Sequence, residues 1–151
     1  MNTFTKEDIE ELAYKAARML GVTKKLKKIV FVPGPTSTGG FCLPESGEIR
    51  YPEWLLTSTP YANVVHFVIH EVIHLKHPCL NHQDKKFRKT EEAINRKFGM
   101  RLIFDKAYAL SLHDLKGNLL WRREWLRSKK VRKMCKELDV CWKTVPETYT
   151  R

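Results

Sequence analysis

No apolar run in this chain reaches the ~18 residues that a membrane-spanning helix needs, so no membrane partner is expected. Its first residues, Met1 to Asp8, have neither the basic start nor the apolar stretch of a secretion signal. Cysteine is sparse: Cys42, Cys79, Cys135 and Cys141 are scattered. Without a secretion signal they read as free thiols in a reducing, cytoplasmic compartment. The spacing of Cys135 and Cys141 does not fit a zinc ribbon. Glycine gathers in Pro33–Gly40, but Gly-Lys-Ser/Thr at nucleotide-loop spacing is missing, so a phosphate-cradling loop is excluded. Repeats and long linkers are missing too, and 151 residues suit one hydrophobic core.

Acidic charge is scarce in one place only. Residues 116–136 hold nine basic residues against the single acid Glu124, which accounts for most of the net charge of +11. Such a block suits nucleic acid or another polyanion, or a solvated face. Arg122, Arg123, Lys129, Lys130 and Lys133 are the candidate nucleic-acid contacts.

The most informative stretch is Val64–Asn81, which contains His70-Glu71-Val72-Ile73-His74. Thr59-Pro60 is a helix start and Pro78 a helix stop, so a helix is expected over about 60–77. It is apolar enough to be buried in a core. Residues four apart share a helix face, so His70 and His74 aim two imidazoles at one point. Zinc accepts imidazole nitrogen at ~2.0–2.1 Å, and a catalytic zinc has three protein ligands and a water. Glu71 stands where a carboxylate can take that water's proton. Asn63, His66, His70, His74 and His77 fall within a sector of roughly 80° at ~100° per residue. His66 reads as a buried core histidine, or as a group supporting the ligands.

Around this helix, Thr5–Asp8 is a capping pattern, and Ile9, Leu12, Ala13, Ala16, Ala17 and Leu20 follow at helical spacing to Gly21. Strands are expected at 27–32, 41–43, 48–51 and 100–104. A second helix is expected over about 83–98, its buried face including Phe87, Ala93, Ile94 and Phe98. Asp114–Gly117 reads as the turn of a hairpin between 108–113 and 118–122. A basic amphipathic helix is expected over 128–138, and a loose tail after Pro146.

Strand, turn, strand, apolar His-Glu-x-x-His helix and a following Asn-His pair together resemble the SprT-like and YgjP-like zinc metallopeptidases. The matching residues are His70–Pro78, Asn81-His82 and Asp84–Phe87, within roughly 25–98. The resemblance implies an α+β fold: a compact zincin-type domain with a small sheet packed on the His-Glu-x-x-His helix. A second helix would carry or follow the third ligand. The resemblance implies zinc on His70, His74 and His82, with Glu71 as general base. It also implies Ile49, Arg50 and Tyr51 as an edge strand that binds an extended peptide. Rival third ligands are Glu91 or Glu92 on the second helix, as in gluzincins, and His77 or Cys79. The domain is expected over 1–115, with 116–151 a basic C-terminal extension packed on it or appended to it. The expected function is hydrolysis of peptide bonds, on proteins associated with nucleic acid. The alternatives are hydrolysis of nucleotides by a YgjP-like enzyme, or a nucleic-acid-binding module with a structural zinc site.

Overall fold

A computed structural model describes residues 4–34, 39–57, 61–78, 84–103 and 108–124. Helix α1 (Lys6–Leu20) begins at Thr5. The Asp8 amide donates to the Thr5 hydroxyl at 3.0 Å, and the Thr5 amide donates to the Asp8 carboxylate at 2.9 Å. These reciprocal bonds satisfy two of the amide donors that a helix start leaves without partners. Gly21, at φ 71°, ends the helix in the left-handed region, where a side chain would be strained. The buried stripe of α1 includes Ala13, Ala16 and Ala17, small residues that let it lie close against the central helix.

Strands β1 (Lys28–Val32), β2 (Phe41–Leu43) and β3 (Glu48–Pro52) form one sheet in the order β1-β3-β2. β1 runs parallel to β3, and β2 runs antiparallel to it with Cys42 opposite Ile49. This order corrects one expectation. Ile49, Arg50 and Tyr51 lie on the middle strand, hydrogen-bonded on both sides, and β2 is an edge strand. Ile49 and Tyr51 are wholly buried. The Tyr51 hydroxyl donates to the Val68 carbonyl at 2.8 Å. Arg50 pairs with Glu48 at 2.7 Å and lies over the Phe41 ring. These are core and framework residues, and the backbone of β3 has no free edge for a peptide where β2 pairs with it.

Helix α2 (Tyr61–Lys76) is the expected helix and forms the centre of the molecule. It touches α1, β2, β3 and the later elements. Val64, Val65, Phe67, Val68, Ile69, Val72, Ile73 and Leu75 are all buried. Trp54, in a 3-10 turn after β3, packs edge-on against Phe67. Where β2 comes down on this helix, a Cβ at Gly40 would lie 2.8 Å from both the Arg50 carbonyl oxygen and the Phe67 ring. No other residue fits that approach unless the backbone or ring shifts.

Helix α3 (Lys85–Lys97) is capped by Asp84, whose carboxylate accepts from the Phe87 amide at 3.0 Å. Its buried side is Phe87, Glu91, Ile94 and Asn95. Ala93, expected on that side, is exposed, because the inward stripe runs through Glu91 and Asn95. Strands β4 (Met100–Ile103), β5 (Tyr108–Asp114) and β6 (Leu119–Glu124) make a second, antiparallel sheet. The Asp114 carboxylate accepts from the Asn118 side chain and from the amides of Lys116 and Asn118. These bonds, the Asn118 side chain's first, hold its carboxyl below the usual range. The hairpin crosses the boundary expected at 115/116, so β6 belongs to the same sheet as β4 and β5. The expected 128–138 helix and the tail lie outside the described residues. The result is an α+β fold with the His-Glu-x-x-His helix at its centre, and no described helix is long and apolar enough to cross a membrane.

Candidate metal centre

Four polar side chains lie inside the apolar shell of α2: His66, His70, Glu71 and His74, all at most 8% exposed. His70 and His74 are one turn apart, their rings edge to face with centroids at 5.0 Å. Phe87 of α3 meets both rings, at 5.1 Å from His70 and 4.6 Å from His74. Apolar packing from the neighbouring helix therefore helps to fix the orientation of the two expected ligands.

Glu91 lies one turn after Phe87 on α3. Its Oε2 lies 2.6 Å from Nδ1 of His70, and both groups are buried. A carboxylate this deep needs a positive or hydrogen-bonding partner, and α3 delivers it to the motif histidine. Nδ1/Nε2 of His66, of His70 and a Glu91 oxygen offer donor atoms within 4.8 Å of one another. Two imidazoles and a carboxylate, buried together, suit a transition metal such as zinc.

The rivals for the third ligand separate. Glu92 faces outward, half-exposed, and pairs with Arg96 at 3.2 Å. Nε2 of His77 lies 2.9 Å from the Thr90 hydroxyl, so its ring ties α2 to α3. His82, the ligand implied by the resemblance, and Cys79 lie outside the described residues. Glu91 is the rival that the fold brings to His70. Its sequence signal is positional: it is four residues after Phe87 and three before Ile94, on the inward stripe of an amphipathic helix. His66 carries the same kind of signal, one turn before His70.

Cys42 of β2 is half-buried. Burial pushes its thiol up to about 12, and the charge of Glu71 adds to the shift. That coupling places β2 over the Glu71 end of the site. Of the expected nucleic-acid contacts, Arg122 and Arg123 lie on β6, and Lys129, Lys130 and Lys133 lie outside the described residues.

No protein-family model matches the chain, and no curated protein matches it. Among solved structures, the metallopeptidase zymogen of Pyrococcus abyssi abylysin is 19% identical, with a TM-score of 0.44. The alignment covers 60% of this chain and 90% of that one. A likeness at this level carries no argument about activity.

Proposed function

We propose that this protein is a zinc-dependent peptidase of the zincin type, related to the SprT-like group. The observation that supports the reading best is the burial of His70, His74, Glu71 and Glu91 together at the contact of α2 and α3. His70 and His74 would hold the ion with Glu91 as third ligand, in place of the His82 that the resemblance implies. Zinc, when bound, supplies a Lewis acid for the scissile carbonyl and acidifies a water.

The chain's own residues do the rest. Glu71 takes a proton from the attacking water and delivers it to the departing amine, so that the elements of water add across the broken C–N bond. Phe87 keeps the histidine rings in place, and the surrounding apolar side chains limit the access of bulk water. The peptide-binding edge moves from β3 to β2. An extended substrate paired antiparallel along the outer edge of β2 would pass over Glu71. The basic residues 116–136 would add affinity for nucleic acid and so direct the enzyme to proteins bound there.

Glu71→Gln tests the reading. It keeps the side chain's size and leaves the ligands untouched, so zinc content and fold should be retained. Loss of a general base typically costs ~10²–10⁴-fold in rate, so hydrolysis of an unfolded protein substrate should fall at least about 100-fold. A chelator should abolish wild-type activity and zinc should restore it. Parallel assays on nucleoside triphosphates separate a peptidase from a nucleotide hydrolase. Full activity in Glu71→Gln would refute the mechanism.

A further inference from the structure

We infer that His66 is a fourth donor to the same metal, one that closes the coordination sphere and makes the resting enzyme latent. The inference rests on the zinc-hydrolase reading above. That mechanism gives His66 no task, yet the residue is wholly buried on the helix that carries the ligands. Its ring centroid is 6.0 Å from that of His70. Its donor atom lies within 4.8 Å of those of His70 and Glu91. Donors on a tetrahedral zinc at ~2.0–2.1 Å are roughly 3.3 Å apart. The excess over that spacing is at most about 1.5 Å, a distance that small side-chain rotations can remove.

Helical geometry supports the same assignment. His66, His70 and His74 follow one another at four-residue steps, so the three rings line one face of α2, and Glu91 comes from α3 beside them. A structural zinc site is closed by four protein donors, whereas a catalytic one keeps a position open for water. With His66 bound beside His70, His74 and Glu91, the open position is filled. Release of His66 exposes it to water beside Glu71. His66 is thus a regulatory ligand, whose loss weakens metal binding and raises turnover.

The experiment uses the full chain and zinc alone as ligand, with wild type, His66→Gln and His66→Leu. Zinc affinity is read by competition with a chromophoric chelator, and bound imidazoles are counted by X-ray absorption at the zinc edge. The expected result is three imidazoles in wild type and two in either variant. Zinc affinity should fall at least about tenfold, beyond the lower bound for loss of an outer-shell partner. Peptide hydrolysis at saturating zinc should rise several-fold. A folded variant with wild-type affinity and an unchanged imidazole count overturns the inference and leaves the hydrolase reading standing. Two imidazoles in wild type also overturn it, whether or not the variants fold. Hydrolysis that falls at saturating zinc overturns the latency. Wild type that takes up no zinc overturns both readings.

Discussion

Replacing Tyr51 by Phe removes one oxygen atom, and the fold assigns that atom a structural task. The hydroxyl is buried and donates to the Val68 carbonyl at 2.8 Å, joining the middle strand to the helix of the metal site two residues before His70. Val68 lies inside α2, so its carbonyl also has its helical partner and is not stranded by the change. The expected loss is therefore that of one neutral hydrogen bond, about 0.5–1.5 kcal/mol. Tyr51→Ala is a different perturbation. It also removes a ring that packs against Phe31 and Phe67, and aromatic truncation in a core costs about 3–5 kcal/mol. Against a domain stability of about 5–15 kcal/mol, that loss leaves little margin. Equilibrium urea unfolding of the three proteins decides the matter, the midpoint falling while the slope stays constant. KM for a peptide substrate should be unchanged in Tyr51→Phe. Unaltered stability with a raised KM would place Tyr51 in contact with substrate and refute the argument from the sheet order.

The third ligand is tested by Glu91→Gln, which should lower zinc affinity by orders of magnitude, while Glu92→Gln and His82→Ala keep it. The reverse pattern would move the ligand to the link after α2. Cys42 should resist alkylation: with a thiol at about 12 instead of 9.0, about one in a thousand is ionised at pH 9, against half for the ordinary group. Because the folded value is the higher one, the thiol's contribution to stability is complete below pH 9 and lost as pH rises through 12. Glu71→Gln should bring the titration down, and mass-spectrometric alkylation profiles would show both effects; ordinary reactivity at pH 9 would separate the thiol from Glu71. Wild type should bind DNA or RNA with affinity that falls steeply as salt rises. Gln at Arg122, Arg123, Lys129, Lys130 and Lys133 should abolish that binding, and unchanged binding would leave the charges a solvated face.

Local chemistry was the legible part of the sequence. Thr5 and Asp8 announce a capping box three residues apart, Gly21 a stop, and Asp114–Gly117 a turn, because each depends only on near neighbours. The helix over 61–76 was equally plain from its apolar run. What could not be read was the sheet order. A strand like Glu48–Pro52 shows which residues face inward, but nothing in its own residues says whether it lies at an edge or in the middle. That depends on a parallel pairing with β1 across a long connection. Glu91 shows a further limit. Its charge argues for the surface while its spacing argues for the interior, and only the approach of α3 to His70 decides between them. His82 and most of the basic segment lie outside the described residues, so their roles still rest on the resemblance and on charge.

The Phe87 ring has a consequence for the thermodynamics of metal uptake. An imidazole on a free chain samples several rotamers, and fixing it costs entropy that a binding ion must overcome. Here the rings of His70 and His74 are confined by each other and by an aromatic side chain from the adjacent helix. Their ordering is completed when α2 and α3 dock, as part of core formation. The ion then meets donors whose orientation is already restricted, and the free energy of uptake lies nearer to the intrinsic affinity of the donors. Affinity for metal is in this sense partly a property of helix packing, and a cavity opened at Phe87 would loosen the ion without touching a ligand.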